Sequence, residues 1–197
     1  MEANGIPAAS DEYRRISGPF SGLPAELTDE YAIRMLRVIR NSNVAYREVN
    51  ALVTDQIERT ITVSATPDLV WAALTTEEGM SAWFGDIAKI DLRPGGDALF
   101  GWTDDGKSYQ AVIEKVEPHT RFAFRWAANP DTPVDEGPST LVEFLIATEE
   151  GGTRITVVES GFASFPEAVR DWHVQENTMG WKSELDELVT YVEGAAS

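Results

Sequence analysis

The stretch Ile57-Glu58-Arg59-Thr60-Ile61-Thr62-Val63-Ser64-Ala65-Thr66-Pro67-Asp68-Leu69-Val70-Trp71-Ala72-Ala73-Leu74 decides how the rest of the chain is read. Its first seven residues alternate apolar and polar side chains, the pattern of a half-buried strand. The period then changes. Thr66 is placed to cap a helix, Pro67 fills a first position that needs no amide donor, and Asp68 meets the positive helix end. Val70, Trp71 and Leu74 form the apolar stripe that follows. A second short helix is expected over 76–83, its apolar end Trp83-Phe84 broken at Gly85.

Working outward toward the C-terminus, short alternating runs follow one another with turn signals between them. Strands are expected over 87–92, 97–102, 108–116, 121–126, 140–147 and 153–159, separated by Pro94-Gly95-Gly96, Asp104-Asp105-Gly106, Glu117-Pro118-His119-Thr120, a long polar loop over 127–138, and Glu150-Gly151-Gly152. This spacing predicts an antiparallel meander. One long helix then runs from about 166 to 193, with a stripe of Val174, Asn177, Thr178, Trp181, Leu185, Leu188, Val189 and Val192. A strongly bent sheet needs a cover for its concave face, and this helix is long enough to serve. A sheet gripping one helix rarely closes along its whole length, so a cavity between them is expected. The fold class is α+β, of helix-grip type.

Outward toward the N-terminus the character changes, and a boundary is drawn between 1–55 and 56–197. Residues 1–23 are rich in Gly, Pro, Ser and Ala and read as a loose arm. A helix is expected over 24–40, with Tyr31, Met35, Val38 and Ile39 at helical spacing. After the break at Asn41-Ser42-Asn43 a continuation of the helix is expected over 44–53. This helix could serve as a lid or as a homodimer arm, its arginines Arg34, Arg37 and Arg40 docking in the latter case on the acidic body of a partner subunit.

That body is acidic. Residues 56–197 hold twenty-five acids against ten bases, out of a whole-chain net charge of -17. Nucleic acid and anionic lipid surfaces would repel it, so neither is expected as a partner. The chain has no cysteine, which excludes disulfides, thiol nucleophiles and cysteine-ligated metals. No run is apolar enough to span a membrane, and the first residues have no secretory character. Membrane insertion is not expected, and a cytoplasmic location is. Two histidines, His119 and His173, do not build a metal site, and no phosphate-binding loop or hydrolase motif is present. No metal and no cofactor are expected.

The body resembles a known family. Ile61 to Thr75, Trp83-Phe84, Arg93-Pro94-Gly95-Gly96, Val116-Glu117-Pro118 with 122–126, Glu159-Ser160-Gly161-Phe162, and Gly180-Trp181 occur in the order and spacing of the homologues of the activator of the 90-kDa heat-shock-protein ATPase. These lie within the SRPBCC, or START-like, superfamily. The resemblance implies a helix-grip fold over about 140 residues. It implies function loosely, because the superfamily includes lipid and hormone carriers, polyketide aromatase/cyclases and co-chaperones. At the position of Glu159 the family often carries histidine, so whatever a histidine does there is not carried over.

Several residues are candidates for chemistry. Glu159 follows Ile155 and Val157 at period two. Either it meets an apolar cavity, where its pKa would rise, or it ends the strand in solvent or beside an arginine. His173 could act as an acid–base group, and with Glu159 it forms the candidate catalytic set. Asn177 could bond a ligand, a backbone group or a buried water, and Trp181, one turn further on, is a candidate for the cavity wall or for plain core. Trp71, Trp83, Phe84, Phe122, Phe124, Trp126 and Phe144 are expected to fill the core and to wall the cavity, with Trp83-Phe84-Gly85 at its entrance. Arg125 should point outward or pair with Glu143. The first functional expectation is a binder of an apolar or aromatic small molecule, lipid- or polyketide-like. The alternatives are a cyclase or aromatase using Glu159, His173 and Asn177, and a co-chaperone-like module that engages a chaperone through an exposed apolar patch in a stress response.

Overall fold

The computed structural model describes residues 55–104 and 106–196. The expected arm and helix over 1–53 lie outside these residues. The described residues belong to a unit that starts at Thr54. Its element order is β1 (Gln56–Val63), α1 (Pro67–Thr75), α2 (Glu77–Met80), β2 (Ile87–Ile90), β3 (Asp97–Trp102), β4 (Lys107–Glu117), β5 (Arg121–Ala127), β6 (Ser139–Glu149), β7 (Gly152–Ser160), a 3-10 turn (Phe162–Ser164) and α3 (Glu167–Ala195).

The seven strands form one antiparallel sheet in the order β1-β7-β6-β5-β4-β3-β2. The meander from β2 to β7 follows chain order, and β1 closes on β7. Ile57 pairs with Glu159, and Ile61 with Ile155. Gly152 starts β7 where that hairpin crosses β1. A Cβ there would lie 2.0 Å from the Val63 carbonyl oxygen, so only glycine fits.

The strand-to-helix junction forms as its residue types require. Thr66 Oγ1 accepts from the Leu69 amide at 3.3 Å, and Pro67 opens α1. α2 is shorter than the expected 76–83. Thr76 caps it by accepting from the Gly79 amide, and the helix stops at Met80. Beyond Met80, Trp83 and Phe84 both donate their amides to the Met80 carbonyl. The Trp83 indole reaches back to the Ala73 carbonyl at 3.0 Å, which draws the chain out of helix. Gly85 follows with φ 74°, where a Cβ would lie 2.4 Å from the Gly101 oxygen.

Alternate residues of each strand face the same side. Phe100, Ile113, Phe122, Phe124, Val142, Phe144, Ile155 and Val157 are all buried and form one core with α1 and α3. α3 contributes Trp181, Leu185, Leu188 and Val192. On the outer face Arg125 points outward as expected, but the alternative pairing with Glu143 is not the one formed. Arg121, not Arg125, takes Glu143, and Arg125 Nε bonds Glu114 at 3.0 Å. The cause is register. Ala123 lies opposite Glu143, which leaves Glu143 diagonal to both arginines, while a bulge after Ile113 brings Glu114 beside Arg125.

Leu188 is 0% exposed. Leu188→Ala is expected to cost about 2–5 kcal/mol, read as a lower urea midpoint at unchanged slope.

Candidate functional site

The burial of α3 changes halfway along its length. From Trp181 to Val192 its inner stripe is buried, whereas no residue from Glu167 to Gly180 is. The expected stripe from Val174 onward is therefore engaged only in its C-terminal part. Beneath the N-terminal part lies a cavity of about 340 Å³. The sheet lines it with Trp102, Tyr109, Trp126 and Thr140, and the helix with Trp172, His173, Glu176 and Asn177. Phe165 closes one side, and Lys107 stands in the lining opposite Trp102.

Glu159 sits beneath this cavity and is 0% exposed. Period two along β7 places it inward with Ile155 and Val157, and neither solvent nor an arginine meets it. Its contacts are neutral donors from three elements. Oε1 accepts from Trp126 Nε1 at 3.0 Å, Thr140 Oγ1 at 2.5 Å and Asn177 Nδ2 at 2.9 Å. Oε2 accepts from Trp181 Nε1 at 2.6 Å. The Trp126 N–H is shared with Thr140 Oγ1 at 2.7 Å, as the pairing of Trp126 with Thr140 across β5 and β6 allows. Burial pushes the Glu159 carboxyl above its ordinary 4.5. The bonds from Thr140, Trp181, Trp126 and Asn177 pull it back, and burial prevails.

His173 packs against Phe165 and Trp172, each with ring centroids 4.6 Å apart. Burial lowers its pKa to about 4, so it is a neutral imidazole near pH 7. Glu184, one helical stretch further on, accepts from Trp102 Nε1 at 3.3 Å. Burial and then the Glu187 charge push it up to about 7, against the pull of the Trp102 bond.

The structure brings Glu159, Asn177, Trp126 and Trp181 into one bonded cluster and sets His173 beside it. It does not bring the other aromatic candidates to the cavity. Trp83, Phe84, Phe122, Phe124 and Phe144 are fully packed on one another, and Phe84 stacks on Trp181 at 5.5 Å. Trp83-Phe84 is thus core, not the rim expected of it. Trp71 is half-buried against His119 and Phe122. Trp181 lies under the cavity and does not line it. Sequence reasoning passed over Trp102, Tyr109, Thr140, Phe165 and Trp172. Period two carried a signal for three of them, since Trp102 follows Phe100, Tyr109 precedes Ala111 and Ile113, and Thr140 precedes Val142 and Phe144 on their inward faces.

A seven-stranded antiparallel sheet gripping one long C-terminal helix, with two short helices after the first strand, defines the helix-grip, START-like class. Within that class, the profile of the family described as Activator of Hsp90 ATPase homolog 1-like protein matches residues 64–193, and the chain belongs to this family. No curated protein matches the chain in a sequence comparison. Among solved structures, DynU16, a protein in the dynemicin biosynthetic locus, is similar at 25% identity and TM-score 0.59. The match covers 71% of this chain and 48% of that one, so it spans about half of DynU16. CalU16 from Micromonospora echinospora is similar at 26% identity and TM-score 0.53, over 70% of this chain and 75% of its own. The Aha1 dimer of Colwellia psychrerythraea shares the fold at 19% identity and TM-score 0.59, over 71% and 97%. No helix among the described residues is long and apolar enough to cross a membrane.

Glu159→Leu is expected to cost at least about 3 kcal/mol in urea unfolding, because it takes the acceptor from the donors of Thr140, Asn177 and Trp181 at about 1–3 kcal/mol each, while the Trp126 N–H keeps Thr140. The pH dependence follows from the raised pKa. The folded chain holds the Glu159 proton more tightly than the unfolded chain, so its contribution to stability is full below pH 4.5. That contribution is lost as pH rises through the raised native value. The stability profile of the wild type minus that of Glu159→Gln should fall over this window, and a flat difference would contradict the assignment.

Proposed function

We propose that the domain binds an apolar or aromatic small molecule, lipid- or polyketide-like, in the cavity under the N-terminal half of α3. One observation carries this reading: five aromatic rings surround about 340 Å³ whose polar floor is held in place from behind by Glu159. That volume lies in the range of small-molecule sites, and the mixture of apolar walls with a few fixed polar groups is what such sites use. The likeness to DynU16, which lies in a biosynthetic locus, supports a role beside small-molecule biosynthesis.

A second reading is acid–base catalysis of cyclase or aromatase type. It is favoured by His173, a neutral imidazole that shares the cavity lining with Asn177. Glu159 supports it less directly, because its carboxyl is covered and reaches the cavity only through Thr140, Trp126 and Asn177. Geometry therefore favours holding over turnover, with Glu159 as a positioning residue and His173 as the group to substitute if turnover is found.

Native mass spectrometry of freshly purified protein is expected to show an apolar compound bound one to one. Trp102, Trp126 and Trp172 should report binding by fluorescence. Ala128 also lines the cavity. Ala128→Trp fills the cavity and is expected to weaken binding at least about tenfold with little change in folding. An empty wild-type protein, silent to a lipid and polyketide panel, would refute the proposal.

A further inference from the structure

Four donors converge on Glu159, and only one of them can turn round. The indoles of Trp126 and Trp181 and the amide nitrogen of Asn177 donate and do not accept. The Thr140 hydroxyl does both. It donates to Glu159 Oε1 at 2.5 Å and accepts from Trp126 Nε1 at 2.7 Å. That arrangement suits an ionised carboxylate, which can take all four bonds. A protonated carboxyl has a hydrogen of its own to place. Among the four side chains bonded to Glu159, Thr140 is the one that can accept it. In the protonated state the bond between Glu159 and Thr140 therefore reverses.

Reversal displaces the hydroxyl hydrogen of Thr140. Trp126 and the protonated Glu159 then both donate to Oγ1, so neither can receive it. Thr140 belongs to the cavity lining, and the cavity is the direction left open. With Glu159 ionised, Thr140 offers the cavity a lone pair. With Glu159 protonated, it offers an O–H.

No charged side chain among the described residues bonds Glu159 and pins its state. Ile57 of β1 and Val142 of β6 lie opposite it, and α3 brings Asn177 and Trp181. The other titratable groups near the cavity are Lys107, Tyr109, His173 and Glu176 in its lining and Glu184 behind Trp102. Arg170, at the start of α3, is held by the carbonyls of Phe162, Ala163 and Phe165. Lys107, Tyr109, Trp172, His173 and the second N–H of Asn177 are further donors for a ligand. None of these five reverses when Glu159 changes charge. Thr140 does.

We propose, on the small-molecule reading above, that Thr140 couples the cavity to Glu159: a ligand oxygen that accepts from the Thr140 hydroxyl is bound together with one proton, which Glu159 takes from solvent. The proton ends on Glu159 Oε1, directed at Thr140 Oγ1, and no bond of the ligand breaks. Below the native pKa of Glu159 the proton is already in place and none is taken up. Above it, one proton enters with each ligand, and affinity falls as pH rises.

Two probes with one ring system and no titrating group test this: 1-acetonaphthone, whose carbonyl accepts, and 1-methylnaphthalene, which has no acceptor. Calorimetry on the full chain in two buffers of different ionisation heat counts the protons, between about pH 5 and about pH 9. His173, with a pKa of about 4, stays neutral through most of that range. The ketone is expected to take up close to one proton at the upper end, with affinity falling about tenfold per pH unit there, and the hydrocarbon none. Thr140→Val is expected to abolish the uptake. If circular dichroism shows that this variant is unfolded, Glu159→Gln, which cannot take a proton, serves in its place with the same expectation. A ketone that does not bind or binds without uptake, equal uptake with both probes (which would point to another group, such as Glu184), or uptake that survives the substitution overturns the inference. Each leaves the small-molecule reading standing as long as one probe binds. Silence toward both probes overturns both.

Discussion

A carboxyl group sealed in a core with no counter-charge has to find its hydrogen-bond partners within the protein itself. Glu159 sets that requirement here, and much of the local structure meets it. Two indole N–H groups, a hydroxyl and an amide converge on its two oxygens. They come from β5, β6 and α3, so one side chain of β7 ties together the strands beside it and the helix above it. The rotation of α3 is restricted in particular, because Asn177 and Trp181, one turn apart, both have to point at Glu159. Trp181 then lies flat on Phe84 and edge-on to Phe144, which joins the polar cluster to the apolar core without a gap.

The cavity is a consequence of how far that helix is engaged. Its C-terminal half presents Leu185, Leu188 and Val192, which interdigitate with the sheet. Its N-terminal half presents Trp172, His173, Glu176 and Asn177, whose bulk and polarity suit a lined space better than a closed packing. Trp181 is the point of division. The two halves of one helix thus do different work, closing the fold at one end and leaving it open at the other.

The fold was legible because its signals are local. The change of period at Thr66, the cap and proline at the start of α1, the glycine turns and the alternation along each strand require no knowledge of distant contacts. The inward direction of Glu159 was legible for the same reason, since it shares period two with Ile155 and Val157. What surrounds Glu159 was not, because Thr140 and Trp126 reach it only through the register of β5, β6 and β7, which no single segment encodes. The aromatic candidates show the same limit. Composition shows an excess of rings but not which lie against one another. Phe84 turned out to be at the centre of the core, while Trp102 and Tyr109, on the strands beside it, line the space. The pairing of Arg121 rather than Arg125 with Glu143 likewise depends on the diagonal geometry of β5 against β6 and on a bulge at Glu114.

The cluster around Glu159 also makes the protein its own indicator. Two of its six tryptophans, Trp126 and Trp181, have their ring N–H groups bonded to opposite oxygens of a single carboxyl. Any event that changes the charge or position of that carboxyl, whether a proton, a ligand pressing on Asn177 or a shift of α3, alters both N–H bonds together. The indole resonances of Trp126 and Trp181 should therefore move as a pair. The Trp83 N–H, held by a backbone carbonyl elsewhere in the core, provides a fixed reference within the same molecule.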